Sequence, residues 1–187
     1  MKKLSPLIMT CFLVIDGLAK GNTNLIPIDT VTGKAAITQI IYSDSLSKKQ
    51  LYRLALQWAS VEFGTLSGAI AVQDTNEGKI VIKTGKIIDN HIWAGTTGFS
   101  CHGTVTMNFK DGKCRIEITD MYYTGFYKYK PYDNQTMETT LADAVSHRPA
   151  DVARSKTWIK EASNALHGII NDFSAYIKES REAKNNW

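Results

Sequence analysis

The chain has 187 residues, 43% of them hydrophobic and 21% charged, with a formal net charge of +4 and three cysteines. A chain of this make-up is globular, is an ordinary size for one domain, and can build a core without disulfide or metal staples. The mild charge, with no Lys/Arg block, speaks against a nucleic-acid binder.

The first residues read as a leader. Met1-Lys2-Lys3 is a short basic start, and an apolar run follows from Leu4 to Ile15. That run is about 12 residues, against the roughly 20 needed to span a bilayer as a helix. Gly17 and Ala19 supply the small residues that a signal peptidase requires, so cleavage is expected after Ala19. The expected organisation is thus a signal peptide over 1–19 and a single domain over 20–187. No transmembrane segment is expected after the leader is removed. Its loss takes away Lys2 and Lys3 against Asp16, which leaves +3. A lipoprotein anchored through Cys11 is the less favoured alternative, because Thr10 stands where a lipobox needs a small residue.

Residues 20–24 read as a mobile start, and the stretch from Leu25 through Pro27 and Asp29 to Gly33 as surface chain. Ala35–Tyr42 is rich in β-branched residues and predicts a strand. Asp44, Ser45 and Ser47 offer helix caps. From Lys48 to Phe63, apolar residues fall at Leu51, Leu54, Ala55, Trp58 and Val61, the stripe of an amphipathic helix, and Gly64 is a stop. A strand is expected over Leu66–Gln73, a turn over 74–78, a strand over Lys79–Ile88 and a loop over Asp89–Gly98.

The next hairpin is the clearest local pattern. Ser100–Lys110 and Lys113–Tyr123 flank Asp111-Gly112, a type I′ turn signal. With Lys110 opposite Lys113, one face collects Val105, Met107, Phe109, Cys114, Ile116 and Ile118. The other collects His102, Thr104, Thr106, Asn108, Arg115, Glu117 and Thr119. The register sets Cys101 opposite Tyr122 and Cys114 opposite Phe109. The two cysteines then lie about 25 Å apart along the ribbon, at about 3.3 Å per residue. A disulfide needs Cα atoms within about 7 Å, so two free buried thiols are expected.

Beyond Tyr123 the chain reads as irregular to Asn134 and loop-like over Gln135–Pro149. A helix of about 25 residues follows, over about 151–178, with its stripe at Val152, Ile159, Ala162, Leu166, Ile169, Ile170, Phe173 and Ile177. The order β-α-β-β-β-β-α predicts an α+β fold: an antiparallel, curved sheet with helices packed on one face.

Certain of these residues resemble a known family. They are Ser47-Lys48-Lys49, Leu51-Tyr52, Trp58, Phe63, Asp74, Gly78-Lys79-Ile80, Lys110-Asp111-Gly112-Lys113 and Arg115. The pattern, over roughly 25–123, resembles a family of exported bacterial domains of unknown function described as having a TBP-like fold. The resemblance implies a curved antiparallel sheet and a life in the cell envelope or outside it. It implies no activity, and the likeness to TATA-binding protein concerns shape alone.

For function, the aromatic segment stands out: Tyr122, Tyr123, Phe126, Tyr127, Tyr129 and Tyr132, with Lys128 and Lys130 between them. Tyrosines present large amphipathic area at low entropic cost and suit a binding surface. The competing reading is that they end a strand and pack beneath the last helix. Trp93, on the loop with His91, could line a pocket mouth or simply anchor the loop. No cofactor is expected, and no metal, since His91 and His102 do not converge with cysteines or carboxylates. Ser100-Cys101-His102 fails as a nucleophile–base pair because adjacent strand residues point to opposite faces.

The expected function is a non-catalytic binding or structural module of the bacterial envelope, periplasmic or secreted. Its partner would be an envelope protein, a glycan or a small apolar ligand, and not nucleic acid. The alternative is a hydrolase-like enzyme whose site gathers residues distant in sequence, drawn from His91, His102, Asp120 and Asp133.

Overall fold

The computed structural model describes residues 26–63, 69–92, 95–127, 130–131, 134–145 and 149–185. Side chains within these are described except at 86–92, 95–98, 125–127, 130–131, 149–151, 154 and 184–185. The elements in chain order are β1 (Ile37–Tyr42), α1 (Lys48–Glu62), β2 (Ile70–Asp74), β3 (Lys79–Ile92), β4 (Gly95–Lys110) and β5 (Lys113–Tyr127). There follow β6 (Lys130–Pro131), β7 (Gln135–Thr136), α2 (Met137–Asp143) and α3 (Pro149–Asn185). The main strands lie antiparallel in the order β1-β5-β4-β3-β2, with β6 and β7 paired to β5. The α+β architecture, an antiparallel sheet with helices, is the one expected from the sequence; the expected chain order β-α-β-β-β-β-α gains two short strands, β6 and β7, and the helix α2 before the last helix.

Helix α1 begins where its capping signals lie. Ser47 and Gln50 form a reciprocal capping box, which satisfies two backbone donors that the first turn would leave bare. Leu51, Tyr52, Ala55, Trp58 and Ala59 are buried. Val61, expected in the stripe, is exposed instead: the face that meets the sheet is turned toward Tyr52 and Ala59. Gly64, read as the stop, lies outside the described residues.

One face of the sheet carries the core. Ile80, Ile82, Val105, Met107, Cys114, Ile116 and Ile118 point into it. The stripe of α3 covers them with Ile159, Ala162, Leu166, Ile169, Ile170, Phe173 and Ile177, all buried. Trp58 of α1 meets Phe173 of α3 with ring centroids 5.0 Å apart, and Tyr52 meets Phe109 edge-on at 5.7 Å. Both helices thus share a single hydrophobic layer. The last helix runs beyond the expected range at both ends.

Four local expectations are corrected. Within the expected Asp89–Gly98 loop, residues 89–92 and 95–98 continue the β3–β4 ladder, with Asp89 opposite Gly98 and Ile92 opposite Gly95. Paired backbone here outweighs the loop-like composition. The Gln135–Pro149 stretch contains α2, capped by Thr136, whose hydroxyl accepts from the Thr139 amide; Met137 and Thr140 are buried beneath it.

The Asp111-Gly112 turn is not type I′, which needs φ above zero at both central residues. Gly112 has φ +73°, but Asp120 is the single non-glycine residue with positive φ among the described residues. The turn is instead held by its docking. Asp111 accepts from the Lys48 amide at 2.7 Å, and the Gly112 amide donates to the Leu46 carbonyl at 2.9 Å. The carboxylate thereby serves as a second cap on α1.

The last correction concerns the hairpin register. It runs as expected from Lys110 opposite Lys113 to Thr104 opposite Thr119. It then slips by one, so that His102 faces Tyr122 and Cys101 faces Tyr123. The cause is a β-bulge: Asp120 and Met121 together oppose Gly103, with Asp120 at φ +50°. An extra residue on one strand exchanges the two faces for everything that follows.

Candidate functional site: the open face of the sheet around the bulge

The bulge decides which tyrosine faces which side. Tyr123 is 1% exposed. Its hydroxyl donates to Met137 Sδ at 3.2 Å, and its ring packs edge-on against Phe99 at 5.4 Å and near Trp158 at 5.9 Å. Burial pushes its phenol well above the ordinary value of 10. Tyr123 is therefore a core residue, and its place in the expected binding set is corrected. Tyr122 points the other way and keeps 36% of its surface exposed.

The two cysteines are unpaired and buried, as expected. Burial raises the Cys101 thiol to about 12 and lifts Cys114 further still. Neither is a nucleophile at neutral pH, since the thiolate is the reactive form.

The face opposite the helices carries alternate residues of β3, β4 and β5 in cross-strand rows. One row is Lys79, Asn108, Arg115 and Ile40, and the next is Val81, Thr106, Glu117 and Thr38. A third is Lys83, Thr104 and Thr119, and a fourth is Gly85, His102, Tyr122 and Thr136. Arg115 pairs with Glu117 at 3.2 Å.

Around the bulge the third and fourth rows form a connected polar cluster beside a ring pair. The Lys83 ammonium donates to Thr104 Oγ1 at 2.6 Å. Asp120 accepts from Lys34 at 3.1 Å. That hydrogen bond, with the charges of Lys34 and Lys83 and the Thr104 hydroxyl, holds the Asp120 carboxyl below its ordinary 3.8 against the effect of burial. Thr104 is buried despite lying on the open face, because the side chains of this cluster cover it.

His102 and Tyr122 stack with centroids 4.7 Å apart and planes within 11°. Gly85 makes room for the imidazole: a Cβ there would lie 2.7 Å from His102 Nδ1. A larger residue at position 85 would push the ring off its seat.

Burial lowers the His102 pKa from the ordinary 6.5. The unfolded chain then takes up this proton more readily than the folded one, so protonation favours unfolding. Stability should therefore fall as pH drops below about 6.5, until the lowered pKa is passed. His102→Gln is expected to reduce the loss of stability between about pH 7.5 and about pH 5, read by urea unfolding. An unchanged pH dependence would show that His102 carries none of it.

Not every expected site residue is placed. Phe126 and Tyr127 belong to β5, but their side chains, like that of His91, are not described. Tyr129, Tyr132, Trp93 and Asp133 lie outside the described residues. His102 and Asp120, both named in the hydrolase alternative, are engaged with Tyr122 and Lys34 respectively. Among the described residues, no three His, Cys, Asp or Glu side chains gather to hold a metal, and no helix is long and apolar enough to cross a membrane.

Sequence reasoning missed Lys34, Lys83 and Thr104 as parts of one cluster. A signal for the bulge was present: the period that buries Ile116 and Ile118 would also bury charged Asp120, whereas Met121 next to it is apolar.

These features define a class: a TBP-like antiparallel sheet with helices on one face and, among the described residues, the other face open. Residues 38–124 match the family model described as a domain of unknown function (DUF4468) with TBP-like fold, the family to which the sequence pattern points. The structure is similar to that of a DUF4468 family protein from Bacteroides ovatus ATCC 8483, with a TM-score of 0.67 and 17% identity, covering 81% of this chain and 91% of that one. It is also similar to a TBP-like protein from Parabacteroides distasonis ATCC 8503, with a TM-score of 0.63 and 17% identity, covering 82% of this chain and 97% of that one. At that identity the likeness is one of fold. No curated protein matches the chain.

Proposed function

We propose that the domain is a non-catalytic binding or structural module of the bacterial cell envelope, acting through the open face of its sheet. The observation that carries this reading is the exposed Tyr122 stacked on His102 beside the Lys83–Thr104–Asp120–Lys34 cluster. An amphipathic ring beside hydrogen-bonding groups is the chemistry of a recognition surface. The basic-then-apolar leader at Met1–Ala19 supports an exported location. The partner class is an envelope protein, a glycan or a small apolar ligand.

The test is capture from a bacterial envelope extract on immobilised protein, comparing the wild type with Tyr122→Ala. Loss of a saturable partner from the variant, with folding intact by circular dichroism, is the expected result. The same material retained by both forms would place recognition elsewhere and sink the reading.

A further inference from the structure

We propose that the bulge-built cluster is a subsite for a neutral saccharide, with a vicinal diol held by Asp120 and Lys83 and the sugar ring set against the Tyr122–His102 pair. This rests on the binding reading above and narrows it to one ligand class.

Hydrogen-bond capacity carries the inference. An ionised carboxylate offers about four acceptor sites and an ammonium three donors. Asp120, an ordinary carboxylate ionised at neutral pH, is bonded to Lys34 at 3.1 Å, and Lys83 reaches Thr104 at 2.6 Å. Acceptor sites remain on Asp120, which is about half exposed, and donors remain on Lys83. The cluster thus presents an acceptor beside a donor. A hydroxyl is both donor and acceptor, so a pair of neighbouring hydroxyls can give a proton to the carboxylate and accept one from the ammonium. A carboxylate or phosphate ligand would be drawn to the two lysines but repelled by Asp120 beside them, and would leave the carboxylate's free acceptor sites unused, whereas a diol uses both kinds of group. A purely apolar ligand would leave the charged groups desolvated and unpaired, which costs free energy.

The ring pair supplies the second half. His102 and Thr104 are two residues apart on one strand and share a face, a separation of about 7 Å. The stacked rings and the polar cluster therefore lie within one sugar unit of each other. The planar, weakly polar rings suit the C–H face of a pyranose, and burial favours the uncharged form of His102. The bulge is what brings the halves together: it turns Tyr122 outward and lifts Asp120 over Thr104.

The test is isothermal titration of the full chain with cellohexaose, maltohexaose and mannohexaose, each up to about 10 mM, a range that reads affinities as weak as millimolar. Saturable binding of at least one is expected. Tyr122→Ala should abolish it, and Asp120→Asn should weaken it about tenfold, the effect of losing a charged hydrogen-bond acceptor. Asn tolerates the positive φ at position 120, so this variant keeps the fold. Lys79→Gln, on the same face but two rows away, should bind as the wild type does. No saturable binding by any of the three, or binding unchanged in both Tyr122→Ala and Asp120→Asn, overturns the assignment. If Tyr122-dependent capture from envelope extract persists in that case, the module reading stands and only the sugar is wrong.

Discussion

Alanine in place of Tyr123 is expected to destabilise the domain by about 3–5 kcal/mol, the usual cost of deleting a large buried aromatic. Alanine in place of its neighbour Tyr122 should cost no more than about 1.5 kcal/mol, the usual worth of one aromatic pair. The asymmetry follows from the bulge. Tyr123 is sealed between Phe99, Trp158 and Met137, and its removal leaves a cavity. Tyr122 touches His102 from a solvent-facing position, so its loss leaves no hole. Urea unfolding of the two variants measures both. Equal losses, or a larger loss at Tyr122, would mean that the chain keeps the unbulged register, with Tyr122 in the core.

Removal of α3 is expected to abolish cooperative folding altogether. Ile159, Leu166, Ile169, Ile170, Phe173 and Ile177 are all buried from this one helix. At about 1.5–3 kcal/mol for each such side chain, they match or exceed the roughly 5–15 kcal/mol by which a domain is stable. They also cap the apolar face of the sheet, and Phe173 meets Trp58 of α1. A chain ending at Val145 should show no cooperative thermal transition and should bind a hydrophobic dye. A transition like that of the full chain would show that α1 and the sheet make a sufficient core. The family match over residues 38–124 holds β1 to the bulge and α1, but not α3. The matched segment therefore lacks the helix that supplies these side chains.

The site was less legible than the fold. Tyr122 stood out in the sequence through its place in an aromatic run, and that run also drew in Tyr123, which is core. Composition cannot separate neighbours on a strand; only the pairing register can. Lys34 lies 86 residues from Asp120 in sequence, and nothing local to either residue announces the ion pair. Asp120 carried a faint signal, because a charge fell where the period called for an apolar side chain. Gly85 carried none: its role is visible only once the His102 ring lies across it.

The sequence by itself determined what depends on near neighbours along the chain. The cap that begins α1, the alternation from Val105 to Ile118, the stripe of α3 and the wide separation of the two thiols all follow from spacing. The tertiary structure decided what depends on contacts between distant segments. Asp111 caps α1 from across the fold, which settles the turn differently from its two-residue signature. Residues 89–92 and 95–98 join a ladder because each strand offers the other backbone partners. The bulge at Asp120, whose carboxylate pairs with Lys34 from the segment before β1, exchanges the faces of β5. That exchange, one residue long, puts Tyr123 in the core and Tyr122 on the open face.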